Sequence, residues 1–210
     1  MKMKHSEIVL ALAILFTGTA MAMSASGGQA EMEHLHHHHM AMADSSGYQR
    51  SLASYDIPDV SLVDAGGVKI SLREVLGGDE PVMLNFIFTS CTAICPVMSA
   101  TFRQVQEQLG EERSKVRMVS ISIDPENDTP EKLKEYAGRF EAGPQWRMLT
   151  GSVEDSIAVQ RAFDSFRGDK MSHEPVTFLR AGGTTQTWVR LDGLASSSDI
   201  INEYHKLVAH

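Results

Sequence analysis

The chain has 210 residues, of which 42% are hydrophobic and 22% charged, and its formal net charge is −8. This length suits one globular domain with additional segments at its ends. The acidic balance excludes nucleic acid as the expected partner, because phosphate backbones are bound through clustered lysine and arginine and no basic run occurs here, whereas a small cation suits it.

Residues 1–22 have the pattern of an export signal peptide. Lys2 and Lys4 precede the apolar run from Ile8 to Phe16, and Ala20-Met21-Ala22 offers a small-residue cleavage site. An uncleaved membrane anchor is the alternative, although the apolar run is shorter than the ~20 residues of a spanning helix. We therefore expect the protein in the periplasm, or on the outer face of the inner membrane if the segment is retained, and membrane contact only in that second case. Disulfides are permitted in these locations.

Residues 23–47 form a segment rich in histidine and methionine, here called the His/Met arm. It has no periodic apolar face, so we expect it to be disordered. Imidazole and thioether groups bind copper, and imidazole also binds zinc and nickel, so the arm is interpreted as metal-collecting. A purification tag is the alternative, although the tract is uneven and follows a signal-like segment. The candidate ligands are His34, His36, His37, His38, His39, Met40 and Met42.

Residues 48–210 are expected to form one domain. Apolar runs at 58–63 and 68–70, joined by a glycine-bearing turn, predict an N-terminal β-hairpin, and the run at 82–88 is typical of a central strand covered on both faces. The remaining patterns predict a helix at 95–109, a strand at 117–123, helices at 130–140 and 153–166 separated by a short strand at 148–150, strands at 176–180 and 187–191, and a last helix from Ser197 or Ser198. This order predicts an α/β fold, a thioredoxin-like sandwich with a central mixed β-sheet flanked by helices.

The chemistry concentrates at Cys91 and Cys95, the only two cysteines. They lie where the strand at 82–88 turns into the next helix. On a helical turn their Cβ atoms would be about 5–6 Å apart, close enough to chelate one ion or, after adjustment, to form a disulfide. The start of the helix favours thiolate over thiol at both positions. A pair of structural core cysteines is the alternative.

His173 is the candidate third ligand, because it lies just before the strand at 176–180. In a thioredoxin-like sheet, the loop that enters this strand faces the cysteine pair. Soft thiolates select Cu(I), and one imidazole would complete a site that also accepts Cu(II). Zinc is the alternative on ligand type, although a closed structural zinc site normally has four protein ligands.

Three acidic residues, Asp124, Glu126 and Asp128, precede the helix at 130–140. They could indicate a cation site. A turn that caps this helix, with Asp128 or Thr129 as the N-cap and Pro130 in the first position, explains them better.

At these positions the chain resembles the Sco/SenC copper proteins of the thioredoxin superfamily. The resemblance covers roughly Ser51 to Leu207 and rests on four stretches: Phe88-Thr89-Ser90-Cys91 through Cys95-Pro96, Ser122 to Glu131, Trp146 to Gly151, and His173 followed by Phe178-Leu179. It implies that Cys91, Cys95 and His173 bind copper. It also implies copper delivery to a respiratory oxidase copper centre, or thiol–disulfide work that prepares that centre.

The sequence departs from the usual family pattern at three places. Thr92-Ala93 replaces the usual Pro-Asp between the cysteines, and Ser172 replaces the usual acidic residue before the histidine. The family's long aromatic-rich excursion before the histidine is shortened here to residues 164–172. The departures leave the three ligands in place but bring docking to the usual oxidase into question.

Three functions from different classes remain open at the level of sequence. A copper metallochaperone is favoured, with an oxidase subunit or another exported cuproprotein as recipient. A thiol–disulfide oxidoreductase that uses Cys91 and Cys95 as a redox pair is the second, and a periplasmic copper-buffering protein built around the His/Met arm is the third. The first needs His173 and both cysteines, the second only the cysteines, and the third none of them.

Overall fold

The computed structural model describes residues 47–183 and 185–209. The strands are β1 (Tyr48–Ser54), β2 (Ser61–Asp64), β3 (Lys69–Ser71), β4 (Val82–Ile87), β5 (Arg117–Ser122), β6 (Trp146–Thr150), β7 (Val176–Arg180) and β8 (Thr187–Gly193). The helices are α1 (Leu72–Leu76), α2 (Ile94–Leu109), α3 (Pro130–Arg139), α4 (Val153–Ala162) and α5 (Ser197–Val208), and short 3-10 helices occupy Gly110–Lys115 and Lys170–Ser172. The predicted α/β class and N-terminal hairpin are confirmed.

The eight strands form one mixed sheet in the order β1-β8-β7-β4-β5-β6-β2-β3. The central strand β4 is parallel to β5 and antiparallel to β7, and β5 is parallel to β6. All six residues of β4 are buried, as expected for a strand covered on both faces. The carboxyl end of β4 therefore meets the amino end of β7 at one edge of the sheet.

Helices cover both faces of this sheet. One apolar cluster contains residues of α2, α3 and α5, such as Phe102, Tyr136 and Ile200. The other contains residues of α1 and α4, such as Leu72 and Val159. Burial of these two apolar clusters supplies the main favourable free energy of the fold. Within the described residues, no helix is both long and apolar enough to span a bilayer.

Local capping sets where several helices begin. The Thr129 side chain accepts a hydrogen bond from Lys132 N at the start of α3, so Thr129, not Asp128, is the N-cap. Ser152 caps α4 as predicted. α4 ends at Ala162, four residues before its predicted end at Phe166, because Phe163 turns into the core and Asp164 adopts a positive φ of 49°.

The first strand, β1, pairs along its whole length with β8. Gln49 lies opposite Asp192, and Asp192 lies opposite Val176 at the start of β7. The amino end of β1 is therefore at the same edge of the sheet as the amino end of β7 and the carboxyl end of β4.

Candidate metal centre

The loop that carries Cys91 follows directly from the buried end of β4. Cys91 N–H donates a hydrogen bond to Phe88 O at 3.2 Å, which closes a turn over Phe88 to Cys91. α2 begins at Ile94, so Cys95 lies in its first turn while Cys91 precedes the helix. The predicted strand-to-helix junction is confirmed, but the cysteines do not share one helical turn. The loop nevertheless brings them together, because Cys95 N–H donates to Cys91 Sγ at 3.5 Å.

The two thiols, both free in the structure, differ in environment. Burial acts to raise the pKa of Cys91, but hydrogen bonds from the backbone N–H groups of Cys95, Ala93 and Ile94 outweigh it, so the pKa falls below the ordinary 9.0. Cys95 is fully buried, and that burial raises its pKa to about 12. The expectation that the helix start favours both thiolates is therefore correct for Cys91 and wrong for Cys95, where desolvation outweighs the backbone hydrogen bonds.

His173 lies between the 3-10 helix Lys170–Ser172 and β7. Its Nε2 is 3.1 Å from Phe86 O, and since a carbonyl oxygen only accepts, Nε2–H is the donor. This tautomer leaves Nδ1 with a free lone pair. Burial is the main cause that lowers the pKa of His173 below its ordinary 6.5, so the ring is neutral at pH 7.

The structure places the three predicted ligands at the same edge of the sheet without assembling them. Cys91 and Cys95 touch, and His173 contacts the end of β4, from which the cysteine loop leaves. In the described part of the chain, no three His, Cys, Asp or Glu side chains are close enough to hold a metal ion. The three-ligand site therefore stays a prediction. The seven His/Met arm ligands, the signal segment 1–22 and the rest of the segment 23–47 up to residue 46 lie outside the described residues.

The acidic turn beside the cysteine loop is more than a helix cap. The Asp128 carboxylate, fully buried, accepts hydrogen bonds from Thr89 N, from Thr89 Oγ1 at 2.6 Å and from Ser122 Oγ at 2.6 Å. It thereby holds the residue two positions before Cys91. Asp124 is 5% exposed and accepts from Lys170 Nζ at 2.6 Å. Sequence reasoning assigned Asp124 and Asp128 to the turn but missed these partners.

Comparisons with known proteins agree with this fold. A family model described as SCO1/SenC matches residues 48–208. The chain is 35% identical over 115 residues to the SCO1 protein homolog of Bacillus subtilis, covering 54% of this chain and 58% of that protein. It is 35% identical over 107 residues to a protein named as copper-binding from Stutzerimonas stutzeri, covering 50% of each. The chain thus spans about half the length of the curated relatives it matches.

Solved structures of the same family share the fold. The structure of BsSco, described as a member of the Sco family of cytochrome c oxidase assembly proteins with a disulfide switch, matches with a TM-score of 0.62 and 28% identity. That match covers 75% of this chain and 95% of BsSco. The predicted thioredoxin-like architecture is confirmed, and the sequence positions of the cysteine loop and His173 fall within the matched family region.

Proposed function

The chain belongs to the SCO1/SenC family, and on that premise we propose that it is a copper metallochaperone whose Cys91, Cys95 and His173 bind one copper ion. The recipient would be a respiratory oxidase copper centre or another exported cuproprotein. The relatives support this proposal, because one is named as copper-binding and another as belonging to the cytochrome c oxidase assembly proteins. The pattern of residues 1–22 supports a location in the periplasm or at the outer face of the inner membrane.

The observation that carries the proposal is the state of the three donor groups. Cys91 has a lowered pKa, which favours its thiolate, and it touches Cys95, whose proton copper can displace on binding. His173 is neutral, and its Nε2–H bond to Phe86 O orients the ring and leaves Nδ1 as donor atom. Two thiolates and one imidazole suit Cu(I) and accept Cu(II). The proposal requires the three donor atoms to come together when copper binds.

A second function, thiol–disulfide exchange, is favoured by the contrast between the two thiols. Cys91 is partly exposed with a lowered pKa, whereas Cys95 is buried with a pKa of about 12. In this reaction the Cys91 thiolate attacks one sulfur of a substrate disulfide and displaces the other as thiolate. Cys95 then loses its proton and attacks Cys91, which releases the substrate as a dithiol and leaves a Cys91–Cys95 disulfide.

Copper titration tests the folded site directly. The His/Met arm also carries candidate ligands, so the decisive comparison uses a variant that lacks residues 31–42. We expect the reduced variant to bind one copper ion tightly, since the chain has one pair of thiols. If it binds none, the folded domain is not the metal site, and copper buffering by the arm becomes the better explanation.

Two substitutions separate the chaperone from the oxidoreductase. His173→Ala removes a nitrogen donor and keeps both sulfurs, so Cu(II) affinity should fall more than Cu(I) affinity, while reduction of a model disulfide slows only modestly. Cys95→Ser should impair both activities. Copper binding like the wild type in His173→Ala, together with fast cysteine-dependent disulfide reduction, would refute the chaperone and favour the oxidoreductase.

Copper and a disulfide should also exclude each other, because both use the same two sulfurs. After oxidation of Cys91 and Cys95, we expect the domain to refuse Cu(I). An unchanged Cu(I) affinity in the oxidised protein would rule out shared ligation.

A further inference from the structure

Lys170 connects the loop of His173 to the rest of the site. It opens the 3-10 helix Lys170–Ser172, and His173 N–H donates to its carbonyl oxygen at 3.2 Å. Its Nζ donates to Asp124 Oδ2 at 2.6 Å, and Asp124 is 5% exposed. The same ammonium lies 5.9 Å from the centroid of the buried Phe88 ring. Lys170 therefore contacts both the acidic turn and the first residue of the cysteine loop.

The acidic turn that contains Asp124 and Asp128 also holds the cysteine loop. Asp128 N–H donates to Asp124 O at 2.8 Å, so the two acidic residues belong to one hydrogen-bonded turn. Asp128 accepts the bonds of Thr89, which holds Thr89, two residues before Cys91, against this turn. Lys170 thus bonds to Asp124 in the same turn whose Asp128 holds the loop of Cys91.

We propose that Lys170 is a positioning residue for His173: its contacts with Asp124 and Phe88 set the distance of the imidazole from the thiols of Cys91 and Cys95. The inference rests on the proposed function, because it concerns closure of the three-ligand copper site. Lys170 lies three residues before His173 and its carbonyl accepts the His173 N–H, so an anchored Lys170 side chain limits the movement of the His173 backbone.

Electrostatics and positioning predict opposite changes in copper affinity when Lys170 is lost. A lysine ammonium close to a bound copper ion repels it, so removal of that charge should tighten copper binding. A positioning role predicts weaker binding when Lys170 is lost, because a loosened ligand has to be ordered at the moment of binding. The direction of the change therefore separates the two effects.

The test uses the full-length reduced protein and Lys170→Gln. The readout is Cu(II) affinity followed through thiolate-to-Cu(II) absorption, which the His/Met arm does not produce because both cysteines lie in the domain. We expect affinity to fall about tenfold, the lower end for loss of a group that orients a metal ligand. Lys170→Arg, which keeps the charge and the contact with Asp124, should recover most of it.

Lys206→Gln is the matched control. Lys206 also donates to a buried carboxylate, that of Glu203, at 2.7 Å, but both residues are on α5. Lys206→Gln should therefore leave copper affinity unchanged. Melting temperatures of all variants test whether they are folded. In the copper-free protein, the ring ¹⁵N signals of His173 should report the single Nε2–H tautomer in every variant that keeps His173 except Lys170→Gln.

The decisive comparison combines Lys170→Gln with His173→Ala. If Lys170 acts through His173, the double variant binds copper no more weakly than His173→Ala. The same fractional loss in both backgrounds, or tighter binding by Lys170→Gln, would overturn the positioning role. Wild-type affinity in His173→Ala would instead refute the three-ligand site on which the inference rests.

Discussion

Selective alkylation tests the contrast between the two cysteines. The pKa of Cys91 is below 9.0 and that of Cys95 is about 12. At pH 8 the thiolate fraction of Cys91 thus exceeds that of Cys95 by at least ~1,000-fold. The less basic sulfur is intrinsically the weaker nucleophile, which reduces this advantage by ~20-fold and leaves a net rate advantage of at least about fiftyfold. Full burial of Cys95 adds a steric barrier. We therefore expect iodoacetamide to modify Cys91 at least about fiftyfold faster than Cys95.

The assay measures alkylation rates by mass spectrometry in the copper-free, reduced protein between pH 6 and 10. Cys95→Ser isolates Cys91 and keeps the backbone N–H groups that lower its pKa. Cys91→Ser isolates Cys95, whose burial is unchanged by the substitution. Rates within about fivefold of each other at pH 8 would refute the reasoning, since neither the thiolate fractions nor the burial would then control reactivity.

Three further predictions concern stability, each measured as the free energy of unfolding in urea. The folded pKa of His173 lies below the unfolded 6.5, so on acidification the unfolded chain binds the proton first; stability should fall below pH 6.5, and His173→Ala should lose this part of the slope, whereas an unchanged slope would contradict the burial argument. Asp128→Ala leaves Thr89 N, Thr89 Oγ1 and Ser122 Oγ without their acceptor, and at ~1.5 kcal/mol for each of the three bonds to the carboxylate the cost should be ~4.5 kcal/mol. A loss under ~1 kcal/mol would mean that water replaces the carboxylate. Phe163→Ala opens a cavity among the buried aromatic rings and should cost ~3–5 kcal/mol; a smaller loss would show that the core collapses into the space.

Elements with a strong local signal were predictable from the sequence. β4 is an apolar run bounded by turns, and α3 begins with Thr129 and Pro130, a local cap whose chemistry does not depend on the rest of the fold. The hairpin of β2 and β3 carries its own glycine turn. Residues that interact within a few positions of one another thus determine these boundaries.

Among the strands and α-helices, β1 and α1 escaped prediction, each for its own physical reason. β1 contains Gln49, Arg50 and Ser51, which are exposed and lack an alternating apolar pattern. It is a strand because β8 pairs with it. α1 has only five residues, too few to show a helical period.

The candidate site divides in the same way. The apolar run of β4, followed by the start of α2, predicts that the cysteines lie at a strand-to-helix junction. The apolar run of β7 predicts that His173 lies just before a strand. The high pKa of Cys95 depends on tertiary burial. The bonds from Thr89 to Asp128 and from Lys170 to Asp124 link residues 39 and 46 positions apart, so no short-range pattern reveals them.

The register of β1 determines where the preceding chain is attached. Gln49, Asp192, Val176 and the end of β4 form one row across four neighbouring strands, so the start of β1 is about 14 Å from β4, three strand spacings away. A ligand carried on residues just before Gly47 would therefore be a tethered reactant. For such a reactant, chain length sets an effective concentration that replaces the concentration in bulk solution. Transfer of an ion between tether and domain would then be intramolecular, with a rate independent of protein concentration.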